Sequence, residues 1–95
     1  MIRNYGDEDT ERFAAGGKVR QWEPFRQQAE KRLRILDAAT SLGDLATLNS
    51  IRLEALKGDR KGQHSIRING QWRICFEWPK DEPGPSNVEI GRAHV

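Results

Sequence analysis

Apolar positions follow two periodicities along the chain, and the change between them separates a helical half from a stranded half. Across residues 23–39, Phe25, Ala29, Leu33, Leu36 and Ala39 recur at spacings of three and four, which places them on one stripe of a helix. Trp22 stands just ahead of the stripe, and Pro24 suits the first helical turn, where its missing N–H costs nothing. Arg26, Glu30, Lys31, Arg34 and Asp37 take the outer face, so the segment reads as an amphipathic helix packed on a sheet. Upstream, residues 2–5 form a candidate first strand. Residues 7–15 lead with acidic side chains and are stopped by Gly16-Gly17. Residues 40–49 read as a connection with room for a short helical turn.

Beyond Ile51 the period becomes two. Ile66 and Ile68 alternate with Ser65, Arg67 and Asn69, while Trp72, Ile74, Phe76 and Trp78 alternate with Arg73, Cys75 and Glu77. Trp72 and Trp78 therefore belong to the core. Asn69-Gly70 between the two runs is a hairpin signal. A two-residue loop would pair Ile66 with Arg73 and mix the faces, whereas a three-residue loop over 69–71 pairs Ile68 with Trp72 and Ile66 with Ile74. A slip of one residue flips every side chain, so the second register is expected. It sets Arg67 opposite Arg73 on the face away from the helices. Like charges across a strand pair repel, so either water screens them or an anion sits between them. Residues 79–86 are a Pro- and Gly-rich loop, and residues 87–90 read as a last strand.

Composition narrows the class without naming a function. With 95 residues the chain suffices for one domain, and a domain this small buries only about 60% of its unfolded surface. Apolar residues at 36% and charged residues at 32% fit a small soluble core. No apolar run reaches membrane-spanning length and the N-terminus lacks a secretory core, so the cytoplasm is the expected compartment. Cys75 is the single cysteine, which excludes an internal disulfide framework and supplies no metal-ligand pattern; no cofactor is expected. The net charge is only +2, but residues 52–73 hold Arg52, Lys57, Arg60, Lys61, Arg67 and Arg73 against Glu54 and Asp59, a local charge of +4. Such a cluster fits a polyanion contacted at one place, or a solvated charged face; charge alone does not choose.

The block Leu56-Lys57-Gly58-Asp59-Arg60, with Gly62, followed by Ser65-Ile66-Arg67-Ile68-Asn69 and Trp72-Arg73-Ile74, resembles the HigB-type toxins of the RelE/ParE superfamily. The helix and short first strand also fit, so the resemblance covers nearly the whole chain. It implies an α/β fold of the α+β kind, a RelE-like small and mostly antiparallel sheet with N-terminal helices on one face. It also implies a type II toxin that cuts messenger RNA in the ribosomal A site without a metal and so inhibits translation. The partners implied are a HigA-like helix-turn-helix antitoxin, the ribosome and mRNA, with DNA reached only through the antitoxin complex. A ParE-like gyrase poison on the same fold, or an inactive antitoxin-binding corepressor, are the alternatives.

By the same resemblance, Lys57 and Arg73 match the family's lysine and strand arginine. Cleavage by an attacking 2′-OH needs a base, cations for the phosphorane and an acid for the leaving oxygen. Arg73 is assigned to the phosphate, where a planar fork binds two oxygens, and Lys57 to charge neutralisation. Arg60 and Arg67 are candidates for backbone contact. Where some relatives carry His, this chain has Glu54, a base or an ion-pair partner of Lys57. His64 stands where an aromatic residue is common, available to stack on a base or to lie on the strand as an ordinary histidine. The family's final strand often runs on to an Asp-Tyr-His-like end, whereas Val88-Glu89-Ile90 here is followed by Gly91-Arg92-Ala93-His94-Val95. The string from Ile90 to Val95 is also what one frame of a common sequencing adapter encodes, so residues 91–95 are expected to be a non-native tail. If they are native, His94 is the candidate general acid.

Overall fold

The computed structural model describes residues 1–92. Its first helix, α1 (Glu8–Ala14), begins where Asp7 accepts the Thr10 amide at 2.7 Å, and it buries Thr10 and Phe13. Aspartate satisfies one of the orphan donors of a first turn. The long helix read from the apolar stripe is two elements. Residues Arg20–Phe25 form a 3-10 segment, and α2 covers Arg26–Ala38. The reason lies at Trp22, whose indole must meet Phe13 at 5.5 Å and Trp72 at 6.5 Å. A turn of three residues reaches that placement, with the Trp22 amide bonded to the Val19 carbonyl at 2.9 Å. Arg26 locks the junction, donating to Glu23, to Glu30 and to the Gly17 carbonyl while lying 4.7 Å from the Phe13 ring centroid. The short helix α3 (Leu42–Ala46) occupies the connection and buries Leu45.

Four strands follow: β1 (Glu54–Ala55), β2 (Gln63–Arg67), β3 (Trp72–Glu77) and β4 (Ser86–Arg92). They lie in sequence order, every neighbouring pair antiparallel. The β2–β3 hairpin takes the three-residue register, Ile66 opposite Ile74 and Arg67 opposite Arg73. Asn69 shapes its loop, its side-chain oxygen accepting the amides of Gln71 at 2.8 Å and Trp72 at 2.9 Å. The expected first strand reduces to one parallel bridge, Tyr5 to Val88. Its extension is interrupted by an irregularity in β4, where Asn87 takes a left-handed conformation (φ 51°) and gives its amide to the Asn4 side chain.

Ile66, Ile68, Trp72, Ile74, Phe76, Val88 and Ile90 form the inner face of the sheet and pack with Ala29, Leu33 and Leu36 of α2. Trp72 and Trp78 are buried, and Trp78 donates its indole N–H to the Glu82 carbonyl at 2.9 Å. Period two thus gives one face to the helices and leaves Arg73, Cys75 and Glu77 on the other.

Ile74 is fully buried in the middle of β3, between Ile66 and Ile90. Ile74→Ala is expected to destabilise the fold by about 2–5 kcal/mol, seen as a lower urea midpoint with an unchanged slope. An unaltered midpoint would contradict this placement.

Candidate active site

One row of side chains crosses all four strands on the face opposite the helices. Glu54 pairs with Ser65, Ser65 with Cys75 and Cys75 with Glu89. Carboxylates therefore stand at its two ends, and the hydroxyl and thiol between them are buried. The next row sets Arg67 against Arg73 and Arg73 against Gly91. Over the first row runs the β1–β2 connection. It turns tightly because Gly58 and Gly62 both adopt positive φ, 68° and 96°, a conformation open to glycine at little cost. The 3-10 turn Gly58–Arg60 between them starts directly after Lys57.

The result is a hollow of about 390 Å³ lined by Glu54, Leu56, Lys57, Asp59, Arg60, Ser65, Arg73, Cys75 and Arg92. Arg60 reaches across it, its guanidinium 3.8 Å from the Cys75 sulfur and 2.6 Å from the Glu89 carboxylate. Arg73 donates to Glu54 at 3.0 Å and to the Arg52 carbonyl at 3.2 Å, while its Nε is buried without a partner among the described residues. Arg92 ends the lining, its guanidinium carbon 4.9 Å from the Trp72 ring centroid. Lys57 lies at the mouth, beside the exposed turn that follows it.

Lys57, Arg73, Glu54 and Arg60 are thus gathered at one place. Glu54 bonds to Arg73, not to Lys57, because β1 sets it on the same face as Arg73, two strands away. Arg67 lines a neighbouring hollow that shares Glu54 and Arg73. His64 is not among them. Strand parity places it with Ile66 on the inner face, where its ring stacks on Phe76 with centroids 6.1 Å apart and planes 22° apart. Of the two readings, base contact at this site or an ordinary strand histidine, the geometry matches the second. His94 lies outside the described residues. Leu56, Asp59, Ser65, Cys75 and Arg92 of this hollow and Arg52 of its neighbour were not among the expected site residues, although the register that pairs Ile66 with Ile74 already implied that Ser65 and Cys75 share the face of Arg73.

Residues 3–88 match the family model described as RelE-like toxin of type II toxin-antitoxin system HigB. The chain is similar to Toxin HigB-1 of Vibrio cholerae serotype O1, 46% identical over 48 residues, which is 50% of each chain. It is also similar to Endoribonuclease HigB of Proteus vulgaris, 43% identical over 47 residues and again 50% of each. The chain spans about half the length of these curated relatives in the matched regions.

Burial pushes the Cys75 thiol above its ordinary pKa, against the opposing influence of the nearby Arg60 and Arg73. The thiolate is the reactive species, so the folded protein keeps Cys75 protonated and slow to react at pH 8. Iodoacetamide at that pH is expected to label Cys75 rapidly only after urea is added, as read by mass spectrometry. Equal labelling rates with and without urea would contradict the buried floor.

Proposed function

The chain belongs to the HigB-like toxin family, and from that premise we propose that it is an endoribonuclease toxin that cuts messenger RNA on the ribosome. The observation that carries this reading is the hollow shared by Lys57, Arg73 and Glu54. Cations in a cleft whose floor is buried act on a developing phosphorane more strongly than they would in water. In the proposed reaction the ribose 2′-oxygen forms a bond to the adjacent phosphorus and the bond from phosphorus to the 5′-oxygen breaks. A base takes the 2′ proton, and an acid returns one to the departing oxygen.

The roles follow from the contacts. Arg73 presents a planar fork to two phosphate oxygens, and its buried Nε leaves one donor unspent. Glu54 holds that fork in the free protein at 3.0 Å. When phosphate takes the guanidinium, the carboxylate is displaced into the hollow, where it serves as the proton acceptor. Lys57 neutralises the added charge from the mouth. No helix among the described residues is long and apolar enough to cross a membrane, and the proposed partners are the ribosome with its mRNA and a helix-turn-helix antitoxin of the HigA kind.

Induction of the chain in bacteria, followed by primer extension on abundant messages, tests the reading. Codon-spaced cuts and growth arrest are expected. DNA damage with intact RNA would replace the reading by a gyrase poison. Lys57→Ala and Arg73→Ala are each expected to lower cleavage by about 10²–10³-fold with an unchanged circular dichroism spectrum. Full cleavage in both would remove the site.

A further inference from the structure

Resting on the reading that the chain acts on RNA, we propose that the smaller hollow beside the β2–β3 loop is a second phosphate site. It would hold the phosphodiester next to the one being cut. This hollow, about 200 Å³, is lined by Arg52, Glu54, Arg67, Asn69, Gly70 and Arg73. It adjoins the larger hollow through Glu54 and Arg73, which line both.

Its charge is unbalanced. Three arginines meet one carboxylate, and that carboxylate is already bonded to Arg73. Among the described residues neither Arg52 nor Arg67 forms an ion pair. The register places Arg67 directly opposite Arg73, a like-charge pairing that a sheet avoids unless something offsets it. An anion between the two guanidinium groups would offset it.

The backbones under these arginines are fixed while the charged groups of Arg52 and Arg67 stay uncommitted. Arg32 of α2 donates to the Arg67 carbonyl at 2.9 Å, and Arg73 donates to the Arg52 carbonyl at 3.2 Å. Arg52 sits in the left-handed region at φ 48° and ψ 64°, where a glycine would be unstrained and an arginine is not. Gly70 supplies a wall without a side chain, and a Cβ there would meet the Arg67 guanidinium at 3.8 Å. Open space thus borders the backbone at Gly70, with the Arg67 guanidinium beside it.

The lining contains no aromatic ring and no aliphatic side chain, so it does not suit a base. It suits phosphate oxygens, which guanidinium groups bind in pairs. Two adjoining anion sites also match a polynucleotide, whose phosphates are joined, better than a single mononucleotide. Arg52 and Arg67 then set the path of the strand and Arg73 faces both phosphates.

The test is equilibrium binding of a 2′-O-methylated RNA hexamer, which cannot be cut by 2′-attack, measured by fluorescence anisotropy over a range of salt. Removing one phosphate-binding cation lowers the slope of log affinity against log salt by about 0.7. Arg52→Ala and Arg67→Ala are each expected to show that decrease, and Arg52→Lys and Arg67→Lys to keep the wild-type slope. Inorganic phosphate is expected to shift the side-chain NMR signals of Arg67 and Arg73 together. Unchanged slopes in both alanine variants, or no hexamer binding at low salt, would overturn the second site. Phosphate shifts with unchanged RNA slopes would mean a site for free anions and would overturn it equally. Codon-spaced cleavage with unchanged slopes leaves the cutting hollow standing alone. Altered slopes without any cleavage keep the RNA site and remove the nuclease reading.

Discussion

The pairing of Ile66 with Ile74 constrains the rest of the molecule. Both side chains are fully buried, and burying each contributes roughly 1.5–3 kcal/mol relative to exposure. A slip of one residue would pair Ile66 with Arg73, turning one arginine into the core and one isoleucine out of it, so the register has no near competitor. The same constraint that builds the core therefore delivers two arginines side by side to the opposite face. The charged face is a by-product of strand parity: what the helices do not cover collects the charge.

On that face, carboxylates answer the cations in the free protein. Glu54 holds Arg73 and Glu89 holds Arg60. The Arg73 side chain is 16% exposed, but that of Glu54 is 55% exposed. An ion pair with one partner this open to water contributes little, about 0–1 kcal/mol. Exchange of that carboxylate for the proposed phosphodiester, which likewise carries one negative charge on two free oxygens, would therefore cost little, and only the phosphorane formed in the reaction would bring more charge to the guanidinium. The arrangement keeps Arg73 oriented without committing it.

Much of this was legible from spacing alone. The alternation of Trp72, Ile74, Phe76 and Trp78 gave the inner face, and rejecting a mixed face gave the hairpin loop and the opposition of Arg67 and Arg73. The family resemblance, carried by the block around Lys57 and Gly58, is matched by the family model over residues 3–88. Other features were hidden for physical reasons. The break between the 3-10 segment and α2 depends on tertiary contacts of Trp22, which a helical stripe does not reveal. The partner of Glu54 depends on β1, a strand of two exposed residues with no pattern to read. Arg52 was counted in the basic cluster but given no place in a site, because the left-handed backbone that turns it there is unusual for arginine. Of the two roles open to His64, the ordinary strand histidine is the one its parity with Ile66 favours, and its ring packs on Phe76.

The site divides into a roof and a floor with different consequences for change. The roof, from Leu56 to Gly62, carries Lys57 and Arg60 and is largely exposed. The amide of Leu56 bonds to the Gln63 carbonyl at 2.9 Å and that of Lys61 to the Gly58 carbonyl at 3.1 Å. Segments with little buried apolar surface open most readily, and their side chains are replaced with small effect on the core. The floor is Ser65 and Cys75, both buried and set on the same two strands that hold Ile66 and Ile74. A larger side chain at either extends into the hollow and takes up its space, because the inner face behind them is already filled by Ile66 and Ile74. Charge can thus be altered at the roof without disturbing the fold, whereas the depth of the hollow is tied to the core beneath it.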